Sequence, residues 1–282
     1  MHDYILTLSC HDRMGIVHAF SAWLLQHHGN IVHAQQFGDL DSQQFFLRVH
    51  FSLPAHCTDT ELEADFLAVA ERFGMQFHIH DASRKTRLLI LVSRQGHCLN
   101  DLLFRVRNEQ MAAEVVGVAS NHLDLQPMAA AHGLPFHHLP VSADTRVAQE
   151  ARLLALVKES HADLVVLARY MQILSTDLCK ALEGRAINIH HSFLPSFKGA
   201  RPYHQAHARG VKLIGATAHY VTQDLDEGPI IEQDIERVDH AMNPQDLSRI
   251  GSDIESVVLS RAVRWHVEHR ILLNGKRTVV FR

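Results

Sequence analysis

Apolar residues recur along this chain with two periods, and the switches between them outline its elements. Tyr4-Ile5-Leu6-Thr7-Leu8 reads as a strand. Ile16, Phe20, Trp23 and Leu24 then share one face of a helix, which Gly29-Asn30 stops. Ile31 to Phe37, a Gly38-Asp39-Leu40-Asp41 turn and the alternation of Phe45, Leu47, Val49, Phe51 and Leu53 form a hairpin, its second strand apolar on one face. A helix over 59–73 and a strand over 75–80 complete β-α-β-β-α-β, the ferredoxin-like order.

The short polar run Asp81-Ala82-Ser83-Arg84-Lys85 marks a boundary, so the expected domains are 1–84 and 85–282. In the second, Leu88 to Val92, Val115 to Ala119 and Leu164 to Leu167 suit strands buried on both faces. Leu99, Leu102, Leu103 and Val106 mark one intervening helix, and Val147, Ala151, Leu154 and Val157 another. Such alternation belongs to an α/β domain with a mostly parallel sheet, whose ligands sit at the C-terminal ends of the strands. Asn243-Pro244 opens a long helix carrying Leu247, Ile250, Ile254, Val258 and Trp265. After it, Ile271-Leu272-Leu273, Asn274-Gly275 and Thr278 to Phe281 spell a hairpin.

Composition narrows the function classes. The 282 residues carry 27 Lys plus Arg against 31 Asp plus Glu, a net charge of −4, which leaves no basic excess for a nucleic-acid backbone. No run approaches the roughly 18 apolar residues of a membrane span. The start, Met1-His2-Asp3-Tyr4, lacks the positive segment of a secretory signal. Cys10, Cys57, Cys98 and Cys179 lie far apart with no paired spacing; they read as reduced thiols and point to the cytoplasm. The 24 histidines raise the question of zinc, yet there is no H-E-x-x-H and no Cys/His cluster, so no metal site is expected. The pairs His27-His28, His137-His138 and His190-His191 are adjacent, which within a strand sends the two rings to opposite faces.

Two stretches carry candidate chemistry. In Ala186-Ile187-Asn188-Ile189-His190, Ile187 and Ile189 share one strand face while Asn188 and His190 share the other. An amide and an imidazole thus leave the end of a strand together; by spacing alone they are equally two polar residues facing solvent. A second strand, Gly215 to Val221, leads into a loop crowded with Asp224, Asp226 and Glu227, by itself an ordinary acidic turn.

Taken together, Asn188-Ile189-His190 through Leu194-Pro195-Ser196-Phe197-Lys198-Gly199 and Asp224-Leu225-Asp226-Glu227-Gly228-Pro229 resemble the formyltransferase family that uses 10-formyltetrahydrofolate. The resemblance spans residues 86–282 and implies a Rossmann-like domain in which Asn188, His190 and Asp226 form the catalytic triad. It places the folate near Met171, Gln172, Ile173 and Leu174 and the loop of Asp224, Leu225 and Gly228, held largely by backbone groups. Plain core packing is the other reading of Met171, Ile173 and Leu174. The first eighty or so residues resemble an ACT domain, a small-molecule-binding regulatory module, through Asp12-Arg13-Met14-Gly15-Ile16-Val17. An ACT domain fused to a folate formyl domain is similar to the deformylase branch of the family. So are Ala168-Arg169-Tyr170-Met171, Lys198-Gly199-Ala200-Arg201-Pro202 and Arg261-Ala262-Val263-Arg264-Trp265-His266.

That branch implies hydrolysis of 10-formyltetrahydrofolate to formate and tetrahydrofolate, in one-carbon metabolism and purine biosynthesis. Asn188 and His190 would donate to the oxyanion, each such donor being worth about 10²–10³ in rate. Asp226 has two open jobs: support of a charged His190, or orienting the water and taking its proton. Neither a metal nor a cofactor beyond the folate substrate is implied. Formyl transfer to an amine such as glycinamide ribonucleotide is one competing reading. Against it, transformylases of the family cradle a phosphate with a Gly/Ser/Asn-rich loop where this chain has Ser93-Arg94-Gln95-Gly96-His97, whose large side chains hinder close backbone approach. A catalytically inactive amino-acid sensor is another, against which the intact triad speaks. His191 stands where the transformylases have proline, and neither packing nor catalysis is assigned to it. The ACT resemblance implies a small amino acid, glycine or methionine, at Asp12, Arg13, Gly15, Ile16, Val17, Asn30 and Ile31, and a homo-oligomer.

Overall fold

The computed structural model describes residues 1–142, 144–193 and 202–282. The Leu194 to Arg201 part of the family motif lies outside them. The chain divides into two compact units, Met1–Lys85 with Glu268–Arg282, and Thr86–Val267.

In the first unit β1 (His2–His11), α1 (Ile16–Gln26), β2 (Asn30–Asp39), β3 (Gln44–Leu53), α2 (Asp59–Phe73) and β4 (Gln76–Asp81) follow the expected order. The strands form an antiparallel sheet, β2-β3-β1-β4. Thr58 and Glu61 close a capping box at the start of α2, and Gly74, at a left-handed φ of 64°, ends it. Tyr4, Leu6 and Leu8 of β1 pack with Phe20, Trp23, Phe51 and Phe66 into one aromatic-rich core.

The second unit contains β5 (Thr86–Val92), α3 (His97–Arg107), β6 (Ala113–Ser120), α4 (Gln126–Ala131), β7 (Phe136–His138), α5 (Arg146–Glu159) and β8 (Leu164–Leu167). It continues with α6 (Thr176–Ala181), β9 (Ala186–His190), α7 (Pro202–Arg209), β10 (Leu213–Tyr220), β11 (Ile230–Arg237) and α8 (Pro244–Val267). The sheet order is β11-β10-β9-β8-β5-β6-β7. It is parallel from β9 to β7, and β10 and β11 are antiparallel additions. From β5 the chain runs outward to β6 and β7, then returns to β8 on the other side. That reversal opens a crevice at the strand C-termini. Ser93 ties its floor: its hydroxyl donates to Asn121 Oδ1 at 2.7 Å and accepts the Met171 N–H at 3.0 Å.

One helix faces differently from its apolar spacing. Val147 is 83% exposed; of the expected face Val157 is buried, and α5 buries Gln149, Leu153 and Leu156 with it. Gln149 donates its amide to the Tyr170 hydroxyl at 2.9 Å, so a satisfied polar group sets the face.

The tail also departs from expectation. β12 (Ile271–Asn274) and β13 (Arg277–Val280) pair around a Gly275-Lys276 loop, one residue beyond the Asn274-Gly275 turn signal, with Gly275 at a φ of 59°. This hairpin lies in the first unit rather than in an 85–282 domain. Leu272 and Phe281 form a second small core with Phe46 of β3. Arg48, also on β3, is 4% exposed and donates to the carbonyls of Glu268 and His269 at 2.8–3.2 Å. Asp39 accepts from Asn274 and Arg277 at 2.6 and 2.9 Å. β3 is therefore buried on both faces, where alternation alone indicated one. Phe46→Ala is expected to lower stability by about 3–5 kcal/mol, read from the denaturant midpoint; a loss under about 1 kcal/mol would mean the tail core contributes little.

Candidate active site

β9 is an interior strand between β8 and β10. Its alternation buries Ile187 and Ile189 on one face and turns Asn188 and His190 to the other. The antiparallel register with β10 sets His219 opposite Asn188 and Thr217 opposite His190. Cross-strand partners share a face, so His219 joins the amide and the imidazole. After β10 the chain turns back on itself: the Tyr220 N–H donates to the Pro229 carbonyl at 3.0 Å. Gly228 makes this possible, because a Cβ there would stand 1.8 Å from the Tyr220 oxygen. The returning loop presents Asp226, at a left-handed φ of 58°, to His190.

The resulting geometry is a linked set of polar groups. His190 Nδ1 lies 3.2 Å from Asp226 Oδ2. His219 Nε2 lies 3.6 Å from Asp226 Oδ1 and 3.2 Å from Asn188 Nδ2. His219 Nδ1 is 2.9 Å from the Tyr220 carbonyl, which only accepts, so Nδ1 carries the proton. Nε2 then accepts from the Asn188 amide, which fixes that amide and leaves its second hydrogen free. Burial alone pushes the Asp226 carboxyl up, but hydrogen bonding and charge from His190 hold it well below the usual carboxylate range. His190 Nε2 is buried with no hydrogen-bond partner among the described residues.

A cavity of about 440 Å³ opens onto these groups. Met171, Gln172, Ile173, Leu174, Asp224 and Leu225 line it, together with Asn188, His190, His219 and Asp226. Met171 and Ile173 are 57% and 60% exposed, so both are cavity-wall residues rather than core. Gly228 does not line it; its part is the close backbone approach under the Asp226 loop.

Residues 86–263 match the formyl transferase family. The chain is 51% identical over 280 residues to the formyltetrahydrofolate deformylase of Corynebacterium sp. strain P-1, covering 99% of this chain and 98% of that one. The crystal structure of the formyltetrahydrofolate deformylase from Burkholderia mallei aligns over the full length of both chains, with a TM-score of 0.95 and 52% identity. The chain belongs to the formyltetrahydrofolate deformylase family. A glycinamide ribonucleotide transformylase from Symbiobacterium toebii, at 31% identity and a TM-score of 0.67, covers 70% of it. The family read from the motifs is thus the family found.

Behind the cavity this deformylase-family member carries a buried charge network that apolar patterning did not reveal. Glu255 of α8 is 1% exposed and sits 2.7 Å from His97 Nε2, 2.7 Å from the Tyr203 hydroxyl and 3.3 Å from Arg169 Nε. Burial pushes its carboxyl up, yet the bond from His97 and the charge of Arg169 bring it below the usual range. Arg169, at a φ of 65°, also donates to Gln95 Oε1 at 2.9 Å and to His191 Nδ1 at 2.6 Å. His97, Cys98 and Glu255 offer ligand atoms within 4.8 Å of one another. Burial pushes the Cys98 thiol far up and Arg169 already neutralises Glu255, so their chemistry is that of an ion-pair network. His190 and His191 do not point to opposite faces: β9 ends at His190, the pleat ends with it, and the rings stack 4.8 Å apart. The one sequence signal for His219, Arg169 and Glu255 was a polar residue inside, or just beyond, an apolar run.

The expected effector residues do not converge. Gly15, at a φ of 95°, precedes α1, whose N-terminus has no side-chain cap. Arg13 and Gly15 line a cavity of about 550 Å³ with Trp23, Arg72 and Phe73. Val17 and Ile31 line a different one of about 130 Å³. Ile16 is core, Asn30 is exposed at the start of β2, and Asp12 lies beside Gly38. In the charge network, Glu255→Leu strands a buried Arg169; the expected cost is about 3–5 kcal/mol by chemical denaturation.

Proposed function

We propose that this protein hydrolyses the N10-formyl amide of 10-formyltetrahydrofolate through Asn188, His190 and Asp226, with water as acceptor. The observation that carries the reading is the 3.2 Å contact of Asp226 with His190 Nδ1, at a cavity whose apolar walls include Met171, Ile173 and Leu225. Such a wall suits a flat heteroaromatic ring, and the polar set beside it suits an amide carbonyl. The water oxygen bonds to the formyl carbon, and Asp226 takes the water's proton. The carbonyl becomes an oxyanion that accepts from the free Asn188 amide hydrogen and from His190 Nε2. The carbon–N10 bond then breaks, N10 gains the proton Asp226 took, and formic acid leaves and ionises. Side chains supply all of this charge stabilisation, so no metal or cofactor is invoked.

The loop at Arg94 to His97 favours water over an amine substrate. Gln95 and His97 turn inward to Arg169 and Glu255, and a Cβ on Gly96 would already stand 2.8 Å from Leu125. Asp226→Asn is expected to lower formate release about 10²–10⁴-fold with folate binding retained. Turnover in EDTA should match that without it. Activity near wild type in the variant removes Asp226 from the mechanism.

For the first unit the proposal is a homo-oligomeric regulatory module, in a cytoplasmic enzyme, that binds glycine or methionine at Arg13 and Gly15. The uncapped N–H groups of α1 beside the Arg13 guanidinium suit a carboxylate. The exposed edge strand β2 suits association. Calorimetry should show binding in wild type and none in Gly15→Val; no heat from either amino acid in wild type ends the sensor role.

A further inference from the structure

Arg169 Nη1 lies 2.6 Å from His191 Nδ1. A guanidinium has only hydrogens to give, so Nδ1 accepts and the ring's proton resides on Nε2. Arg169 is itself held by Gln95 and by Glu255, which His97 and Tyr203 secure in turn. The charged and titratable groups acting on His191 are Arg169 after β8, His190 on β9, Glu255 on α8 and Asp226 in the β10–β11 loop. Burial first, then Arg169 and His190, push it down to about 4, so the ring keeps one neutral form around neutral pH. Its Nε2–H is buried and has no partner among the described residues. An unmade bond of that kind is costly, and an acceptor arriving in the working enzyme would relieve it. His191 lines the active cavity, stacked on His190.

We propose that His191 is a further catalytic residue whose Nε2–H holds the oxygen of the attacking water, and that Arg169 is the positioning residue that fixes its tautomer. This rests on the reading of Asn188, His190 and Asp226 as the reacting groups. The formyl oxygen already has Asn188 and His190 as donors, so the donor left over serves the second oxygen of the reaction. A water that accepts from His191 and donates to Asp226 keeps a lone pair for the formyl carbon. A neutral N–H donor takes no proton, and the proton still goes to Asp226. A fixed water site also accounts for water being the acceptor.

His191→Phe keeps an aromatic ring against His190 and deletes the N–H. The expected result is a 10- to 100-fold lower kcat for formate release, equivalent to about 1.4–2.7 kcal/mol, with KM for 10-formyltetrahydrofolate within about twofold. The ratio to wild type should be constant from roughly pH 6 to 9, because a locked neutral ring does not titrate there. His191→Asn, whose oxygen accepts from Arg169 and whose amide donates, should recover part of the loss. A kcat within twofold of wild type for His191→Phe overturns the proposal, as does a loss confined to KM or the disappearance of an ionisation. Asp226→Asn is run in parallel. If it is inactive while His191→Phe is normal, only the role of His191 falls; if Asp226→Asn is active, the underlying triad falls and the proposal with it. Nitrogen NMR of the wild-type imidazole needs no variant to fold: a single Nε2–H form across that range is expected, and an Nδ1–H form or a titration overturns the assignment.

Discussion

The register of β10 on β9 is the constraint from which the site follows. Side chains on a strand alternate with a period of two, so a slip of one residue would send Asn188 and His190 to the opposite face. The pairing of Asn188 with His219 and of His190 with Thr217 places Asn188, His190 and His219 where the strand ends and the cavity begins. The tight return at Gly228 then brings Asp226 across to His190. Geometry that close depends on backbone hydrogen bonds, and these are among the least adjustable parts of a fold.

Placing charge beside an apolar cavity has an energetic cost that this structure meets with partners. Asp226 is stabilised as an anion against its own burial by His190. Glu255 is stabilised in the same way by His97, Arg169 and Tyr203. Both of these carboxylates have an opposite charge or a fixed donor within hydrogen-bond reach, which is the condition under which buried ions are tolerated. Arg169 serves both regions: one part of its guanidinium meets Glu255 and Gln95, and another meets the ring of His191.

The first unit shows a related economy. β3 needs cover on its second face, and the tail hairpin provides it with Leu272 while Phe281 follows it and the carbonyls of Glu268 and His269, just before it, accept from the buried Arg48. A buried arginine among apolar residues is satisfied by backbone oxygen rather than by a carboxylate, so no second ion has to be desolvated.

The sequence by itself determined a good deal: the order of strands and helices in the first unit, the alternation of the second without α4, β7, α6 and α7, the near-exact spans of α2, β8 and β9, the Asn243 cap of α8, and the family carried by Asn188, His190 and Asp226. These are local matters, written in periodicity, capping chemistry and short motifs. Tertiary structure decided where the tail goes, which face of α5 is buried, that His190 and His191 stack, and that His219, Arg169 and Glu255 meet at the site. Apart from the stack of the neighbouring His190 and His191, each of these depends on a contact between residues far apart in the chain, often through a polar residue whose burial is affordable only once its partner is in place. Hydrophobic periodicity reports what an element excludes from water. It does not report which distant donor will satisfy a buried acceptor, because that is settled by register and packing after the elements have formed.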